Sequence, residues 1–284
     1  MIEAITSLYF DGKDNGIILD DAYDLYKKNQ YVKYVNENSI NYLRCQDVDM
    51  NLLVFFPDIE FITVPEDAEN INAIYNLKKL KGLEISTKNF NKLDLSRLDN
   101  LEYLVLYDYS KKCQELQSCK NLKHLVIVHS NITDLNCISA NCNLESLHLN
   151  FCYGLRSLTG IQSFSNLSKL ELEYCLKLED ISEVTSLGNS IKYLSITDCN
   201  RVKELYSSLS KLLMLETLYL TSFQTSKVNS LPSIDFIENL LKIKKFMTDY
   251  KILDGDLTAL LTVEEVDILK FYRQYNLKKE LFEK

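Results

Sequence analysis

A triplet of aliphatics spaced LxxLxL returns along this chain at nearly even steps, and that period constrains the fold more than any single residue. The copies are Leu80-Leu83-Ile85, Leu101-Leu104-Leu106, Leu122-Leu125-Ile127, Leu144-Leu147-Leu149, Leu167-Leu170-Leu172, Ile191-Leu194-Ile196 and Leu215-Leu218-Leu220, starting 21 to 24 residues apart. Weaker copies flank them at Ile40-Leu43-Cys45, Ile59-Ile62-Val64, Ile243-Phe246-Thr248 and Val263-Val266-Ile268. A fixed period of this length marks stacked units, none of which can bury its apolar side alone. The reading is an α/β solenoid, a curved horseshoe whose concave face is a parallel β-sheet of eleven strands and whose convex side is irregular or short helical.

Because such an array grows by stacking, 284 residues need not split into several cores. Residues 40–270 are assigned to the repeats, 1–39 to an N-terminal cap and 271–284 to a C-terminal cap. In the first cap, Ile5 to Phe10 and Gly16 to Leu19 flank a turn-like Asp11 to Asn15, and Asp20 to Gln30 reads as a helix capped by an Asp. No basic, apolar leader opens the sequence and no apolar run approaches the roughly 20 residues that span a bilayer, so a cytoplasmic protein without membrane contact is expected. A formal charge of −8 disfavours phosphate backbones, and no nucleic acid is expected as partner.

A strand alternates its faces, so the residues between the inner leucines point outward and line up in rows when units stack. The first row contains Tyr103, His124, Lys169, Tyr193 and Thr217, the second His148, Glu171 and Tyr219, and the third Tyr107, Asn150 and Glu173; Asp108, His129, Phe151, Tyr174 and Asp198 lie just beyond. Rigid aromatic side chains concentrate binding energy at interfaces. Tyr103, Tyr107, Phe151, Tyr174, Tyr193 and Tyr219 are therefore candidate anchors for a protein partner. Asp108, Glu171, Glu173 and Asp198 would steer a basic one, with His148 among them. The competing account is that Tyr simply suits strands.

Chemistry has little positive support. The chain has no GxxxxGK[ST], GxGxxG, HExxH or GxSxG motif. His124, His129 and His148 share one face without ligand spacing, so neither a metal nor a cofactor is expected. A hydrolase using His148 with Glu171 is the remaining enzymatic alternative.

The segments "LESLHLNFCYGLRSL" and "LSKLELEYCLKLEDI" resemble leucine-rich repeats written LxxLxLxxCxxLxxL, and "LKHLVIVHSNITDL" is similar to a shorter bacterial form, with Asn131 and Ile132 near its Asn and Ile positions. The resemblance implies that Cys152, Cys175 and Cys199 are reduced, buried thiols bonded to turn carbonyls. The C-terminal "DGDLTALLTVEEVDILKFYRQYNLKKE" resembles the ending of small stand-alone bacterial leucine-rich repeat proteins. That resemblance implies a non-enzymatic binder, monomeric when unbound, with an immunity protein that neutralises a toxin as one role. The alternative is an effector or adaptor that binds a host or substrate protein.

Overall fold

The computed structural model describes residues 4–5, 9–10, 13, 15–19, 25–110, 115–138, 143–222 and 229–268. The chain forms two compact units, Met1–Val128 and His129–Lys284. In the first, β1 (Ala4–Ile5) lies antiparallel to β2 (Gly16–Leu19), and β2 begins a parallel series with β3 (Tyr42–Cys45), β4 (Phe61–Thr63), β5 (Gly82–Ser86), β6 (Tyr103–Tyr107) and β7 (His124–Val128). In the second, β8 (Ser146–Asn150), β9 (Lys169–Glu173), β10 (Tyr193–Thr197) and β11 (Thr217–Thr221) are parallel neighbours. There β12 (Ser230–Leu231) leaves the series to pair with β14 (Lys251–Ile252), while β13 (Lys245–Thr248) and β15 (Glu265–Ile268) continue it.

Each of the eleven triplets thus carries one parallel strand. The reason is burial: Leu83, Leu147, Leu170 and Leu218 are fully enclosed, and short 3-10 turns on the return legs add Leu53, Ile74, Ile161 and Val184 from the other side. Asp49 and Asp94 start two of these turns by accepting the backbone N–H two residues on, at 3.0 and 3.1 Å. No helix among the described residues is long and apolar enough to cross a membrane.

The helix of the N-terminal region runs over Leu25–Glu37, seven residues beyond the Gln30 end read from sequence. Its stop is a Schellman turn: Ile40 N–H reaches Val35 O at 3.1 Å, with Ser39 left-handed at φ 53°. A serine in the place usually held by glycine hides that signal. The helix-capping Asp and the turn over Asp11 to Asn15 fall largely outside the described residues, as does the 271–284 segment.

Inside the second unit the thiols form a column. Cys152 Sγ donates to Asn150 O at 3.8 Å, Cys175 Sγ to Leu149 O and Glu173 O at 3.6 Å, and Cys199 Sγ to Leu172 O at 3.5 Å and Thr197 O at 3.4 Å. Turn carbonyls that would otherwise be orphaned in the coil are satisfied this way. One correction concerns the preceding repeat: buried Ser130 holds this slot and accepts Ile132 N–H at 3.2 Å, while Asn131 is exposed. Ile132 is buried as its position requires.

Just before the strands runs a row of alternating charge. It reads Glu60, Lys81, Glu102 and Lys123 in the first unit and Lys192, Glu216, Lys244 and Glu264 in the second, where Glu145 and the uncharged Ser168 come before them, as Asn41 does in the first. Lys81 meets Glu60 at 2.9 Å, Lys123 meets Glu102 at 3.4 Å, and Lys244 meets Glu216 at 2.7 Å. Their backbones follow the same ladder, Lys81 N–H to Glu60 O at 2.7 Å and Lys123 N–H to Glu102 O at 2.9 Å.

The outward face of the first unit is covered by its own N-terminal segment. Phe10, fully buried, packs against Tyr42, Phe61 and Tyr103 with ring centroids 5.7, 4.9 and 6.4 Å away. Lys13 bonds the Tyr103 hydroxyl and lies 4.7 Å from its ring centre. Gly82 makes this seat possible, because a Cβ there would stand 2.3 Å from the Phe61 ring and 3.0 Å from that of Phe10. Gly82→Ala is expected to cost about 1–3 kcal/mol, the usual range for overpacking. Urea unfolding checks it, and wild-type stability in the variant would mean that these rings are not seated over residue 82.

Candidate binding face

The outward face of the second unit is organised by register. Lys169, Tyr193, Thr217 and Lys245 are consecutive partners in one row, and His148, Glu171, Ser195, Tyr219 and Met247 in the next. Tyr193 and Tyr219 meet edge to face, centroids 5.5 Å apart and planes at 74°. Lys169 Nζ lies 5.3 Å from the centre of the Tyr193 ring and 2.9 Å from Glu171 Oε2. Lys245 lies 5.9 Å from the Tyr219 ring and bonds Glu265 at 2.8 Å. Burial, and then the negative charge of Glu171, push the Tyr193 phenol well up, so it stays a neutral hydroxyl.

His148 and Glu171 are partners across β8 and β9, yet their side chains part: Glu171 turns to Lys169, and His148 Nε2 lies 3.3 Å from Glu173 Oε2. The buried Nε2 approaches that oxygen without hydrogen-bond alignment, and the contact is an ion pair only when the imidazole carries a proton. The His148–Glu171 pairing that a hydrolase would need is therefore not formed. Close contact with His148 outweighs burial and holds the Glu173 carboxyl below its usual range. A depressed carboxyl stabilises the fold above its ordinary value of 4.5 and loses that contribution as pH falls through the lowered one. Wild type is expected to exceed His148→Gln by up to about 1 kcal/mol near pH 5.5, and the gap should shrink below pH 4.5. Urea titrations at several pH values measure it, and a gap that persists at pH 3 would exclude Glu173 as its source.

Where β7, β8, β9 and β10 end, one residue turns left-handed. His129, Phe151, Tyr174 and Asp198 have φ of 56°, 52°, 50° and 53°. Their N–H groups reach Asn150 O, Glu173 O, Thr197 O and Thr221 O at 2.9 to 3.0 Å. Such a conformation costs a non-glycine residue of order 1–3 kcal/mol, and here the ladder bond to the next strand holds it. The side chains consequently stand in file. His129 and Phe151 are 5.1 Å apart, Phe151 and Tyr174 stack at 4.6 Å with planes 7° apart, and exposed Tyr153 packs 5.9 Å from Phe151. Tyr153 was missed in the sequence because it follows the strand at a point where alternation no longer applies.

Not every candidate presents itself to a partner. Asp198 is fully buried and accepts the Ser222 hydroxyl at 2.9 Å. In the first unit, Tyr103 is 3% exposed beneath Phe10 and Lys13 and stacks on His124 at 4.1 Å. Tyr107 donates to Glu84 Oε1 at 2.7 Å, in a network where Thr63 donates to Glu84 Oε2 at 2.7 Å and bonds Tyr42 at 2.8 Å. Asp108 remains exposed. Among the described residues no group of three His, Cys, Asp or Glu is placed to hold a metal.

No family model matches the chain, and no curated protein matches it by sequence. Solved structures do. TLR13, in a complex with ssRNA13, is 16% identical and matches over 81% of this chain and 38% of its own, with a TM-score of 0.57. Internalin C2 of Listeria monocytogenes is 20% identical over 78% of this chain and 84% of its own, with a TM-score of 0.49. The leucine-rich repeat domain of the type III effector XopL is 17% identical over 82% and 76%, with a TM-score of 0.42. The fold is that of leucine-rich repeat proteins.

Proposed function

We propose that this leucine-rich repeat chain is a non-enzymatic binding protein that holds a protein ligand on the outward face of its second unit. The observation that carries the reading is a contrast between faces. The first unit covers its aromatic rows with Phe10, while Phe151, Tyr174, Tyr193 and Tyr219 in the second are left partly open with their backbone positions fixed. Fixed, half-open rings give contact area at small entropic cost. Glu171 is balanced locally by Lys169 and Glu173 is drawn to His148, so attraction for a basic partner rests mainly on the overall charge of −8 and acts on the encounter rate.

A reducing, cytoplasmic setting fits Cys152, Cys175 and Cys199, whose hydrogen bonds oxidation would remove. Neutralising a toxin is the role the bacterial resemblance favours, with effector or adaptor as the alternative. The test is affinity capture from the producing cells, with and without nuclease, using wild type and a bait carrying Ala at Phe151, Tyr174, Tyr193 and Tyr219. A protein that resists nuclease and is lost at least about tenfold with the substituted bait is the expected result. Equal recovery by both baits would remove this face, and loss on nuclease treatment would indicate a nucleic-acid partner. A captured toxin would separate immunity from the effector and adaptor roles.

A further inference from the structure

The rim past the strand ends of the second unit sets apolar surface beside positive charge. Directly after the column thiols Cys152 and Cys175 come Tyr153 and Leu176, 40% and 38% exposed. Both sit in the same tight turn, Tyr153 N–H reaching Phe151 O at 2.9 Å and Leu176 N–H reaching Tyr174 O at 3.0 Å. Neither is needed to close its coil, because Leu155 and Leu178, two residues on, are fully buried there. With the stacked pair Phe151 and Tyr174 they make one apolar patch over two adjoining repeats.

The charges beside the patch give the chemistry of its occupant. Lys177 follows Leu176, and Arg201 holds the same place in the next repeat; both are exposed. Two residues further on, Arg156, Glu179 and Lys203 form a row, Glu179 N–H bonding Arg156 O and Lys203 N–H bonding Glu179 O, each at 3.0 Å. Lys203 meets the Glu179 carboxylate at 2.9 Å and, with Arg201 and Arg156 near it, holds that carboxyl below its usual range. Among the described residues, Arg156, Lys177 and Arg201 form no ion pair, so four cations share one carboxylate. Asp180 and Glu204 come one residue later, and Asp180 is engaged by the Ser182 N–H of its own turn at 2.8 Å. On a chain of net charge −8, the band next to the exposed rings is locally positive. We infer that this rim receives an acidic protein segment, its apolar side chain against Tyr153 and Leu176 and its carboxylates facing Lys177, Arg201 and Arg156. The inference rests on the reading that the second unit holds a protein ligand, and it assigns the sign of the segment in contact, which differs from the sign that long-range attraction favours. A single-stranded nucleic acid fits less well, because Phe151 and Tyr174 stack on each other with planes 7° apart and leave no gap for a base.

Fluorescence anisotropy of the full chain with a labelled acidic peptide, EDEFDLE, and its charge-reversed counterpart, KRKFKLK, tests this. The acidic peptide is expected to bind with a Kd on the order of 100 µM, and the reversed one at least about tenfold more weakly. Lys177→Glu combined with Arg201→Glu, at two exposed positions, should weaken the acidic peptide at least about fivefold, and Tyr153→Ala by a similar factor. No binding of the acidic peptide, equal binding of both peptides, or indifference to either variant overturns the proposal. An oligothymidylate that binds more tightly than the peptide and is lost with the same substitutions overturns it in favour of nucleic acid. Affinity capture keeps this failure apart from that of the wider reading: a partner retained by the Lys177→Glu, Arg201→Glu bait but lost when Phe151, Tyr174, Tyr193 and Tyr219 are Ala removes the acidic segment alone.

Discussion

Phe10→Ala is expected to cost about 3–5 kcal/mol, as removal of a buried aromatic side chain usually does. Phe10 has no exposed surface, and its ring fills the space between Tyr42, Phe61 and Tyr103. Those three stand on the outward side of the sheet, where the N-terminal segment covers them. The truncation therefore leaves a void that opens toward water, and the cost falls at the upper end only if the neighbours cannot close over it. Tyr103, 3% exposed in the native chain, should become accessible to nitration in the variant. Equilibrium unfolding and residue-resolved nitration test both parts. A loss under about 1 kcal/mol with Tyr103 already reactive in wild type would show that Phe10 does not hold this surface in solution.

The second large effect is on thiol chemistry. Burial pushes Cys45 up to about 12, and hydrogen bonds with Cys152 and Cys199, together with burial, hold Cys175 well above the ordinary thiol range. At pH 8 an unperturbed thiol is about one quarter thiolate, whereas one near 12 is about one part in ten thousand. Alkylation of native Cys45 is therefore expected to be at least about a thousandfold slower than in urea, before access is considered. Cys152, Cys175 and Cys199, none more than 1% exposed, should be protected alongside it. Peptide mass spectrometry after timed iodoacetamide treatment separates these sites from Cys113 and Cys142, which lie outside the described residues. Labelling of Cys175 in the native protein at the unfolded rate would mean that the coil opens readily.

How much of this was legible depended on whether a signal repeats. The strands and their register were, because one leucine spacing recurs eleven times and a slip of one residue would turn every triplet to water. The thiol column was legible for the same reason. The cover over the first unit was not, since Phe10 and Gly82 are far apart in sequence and neither residue type announces the contact. Asp198 looked like a surface acid because the sequence does not show Ser222 waiting for it behind the turn. His148 lay next to Glu171 in register, but the reach of Lys169 to that carboxylate sent the imidazole to Glu173, a choice made by side-chain geometry alone.

The alternating charges ahead of the strands bear on how a chain of near-identical coils finds its order. Each Lys–Glu pair is worth only about 0.2–1 kcal/mol where it forms. Their value lies in what they forbid. If one coil were skipped, Glu60 would lie beside Glu102, and Lys81 beside Lys123, so a single skip in this run sets like charge against like. The row acts as a parity code: leucines make any coil adhere to any other, and the sign of the charge penalises a neighbour reached by leaving out one coil.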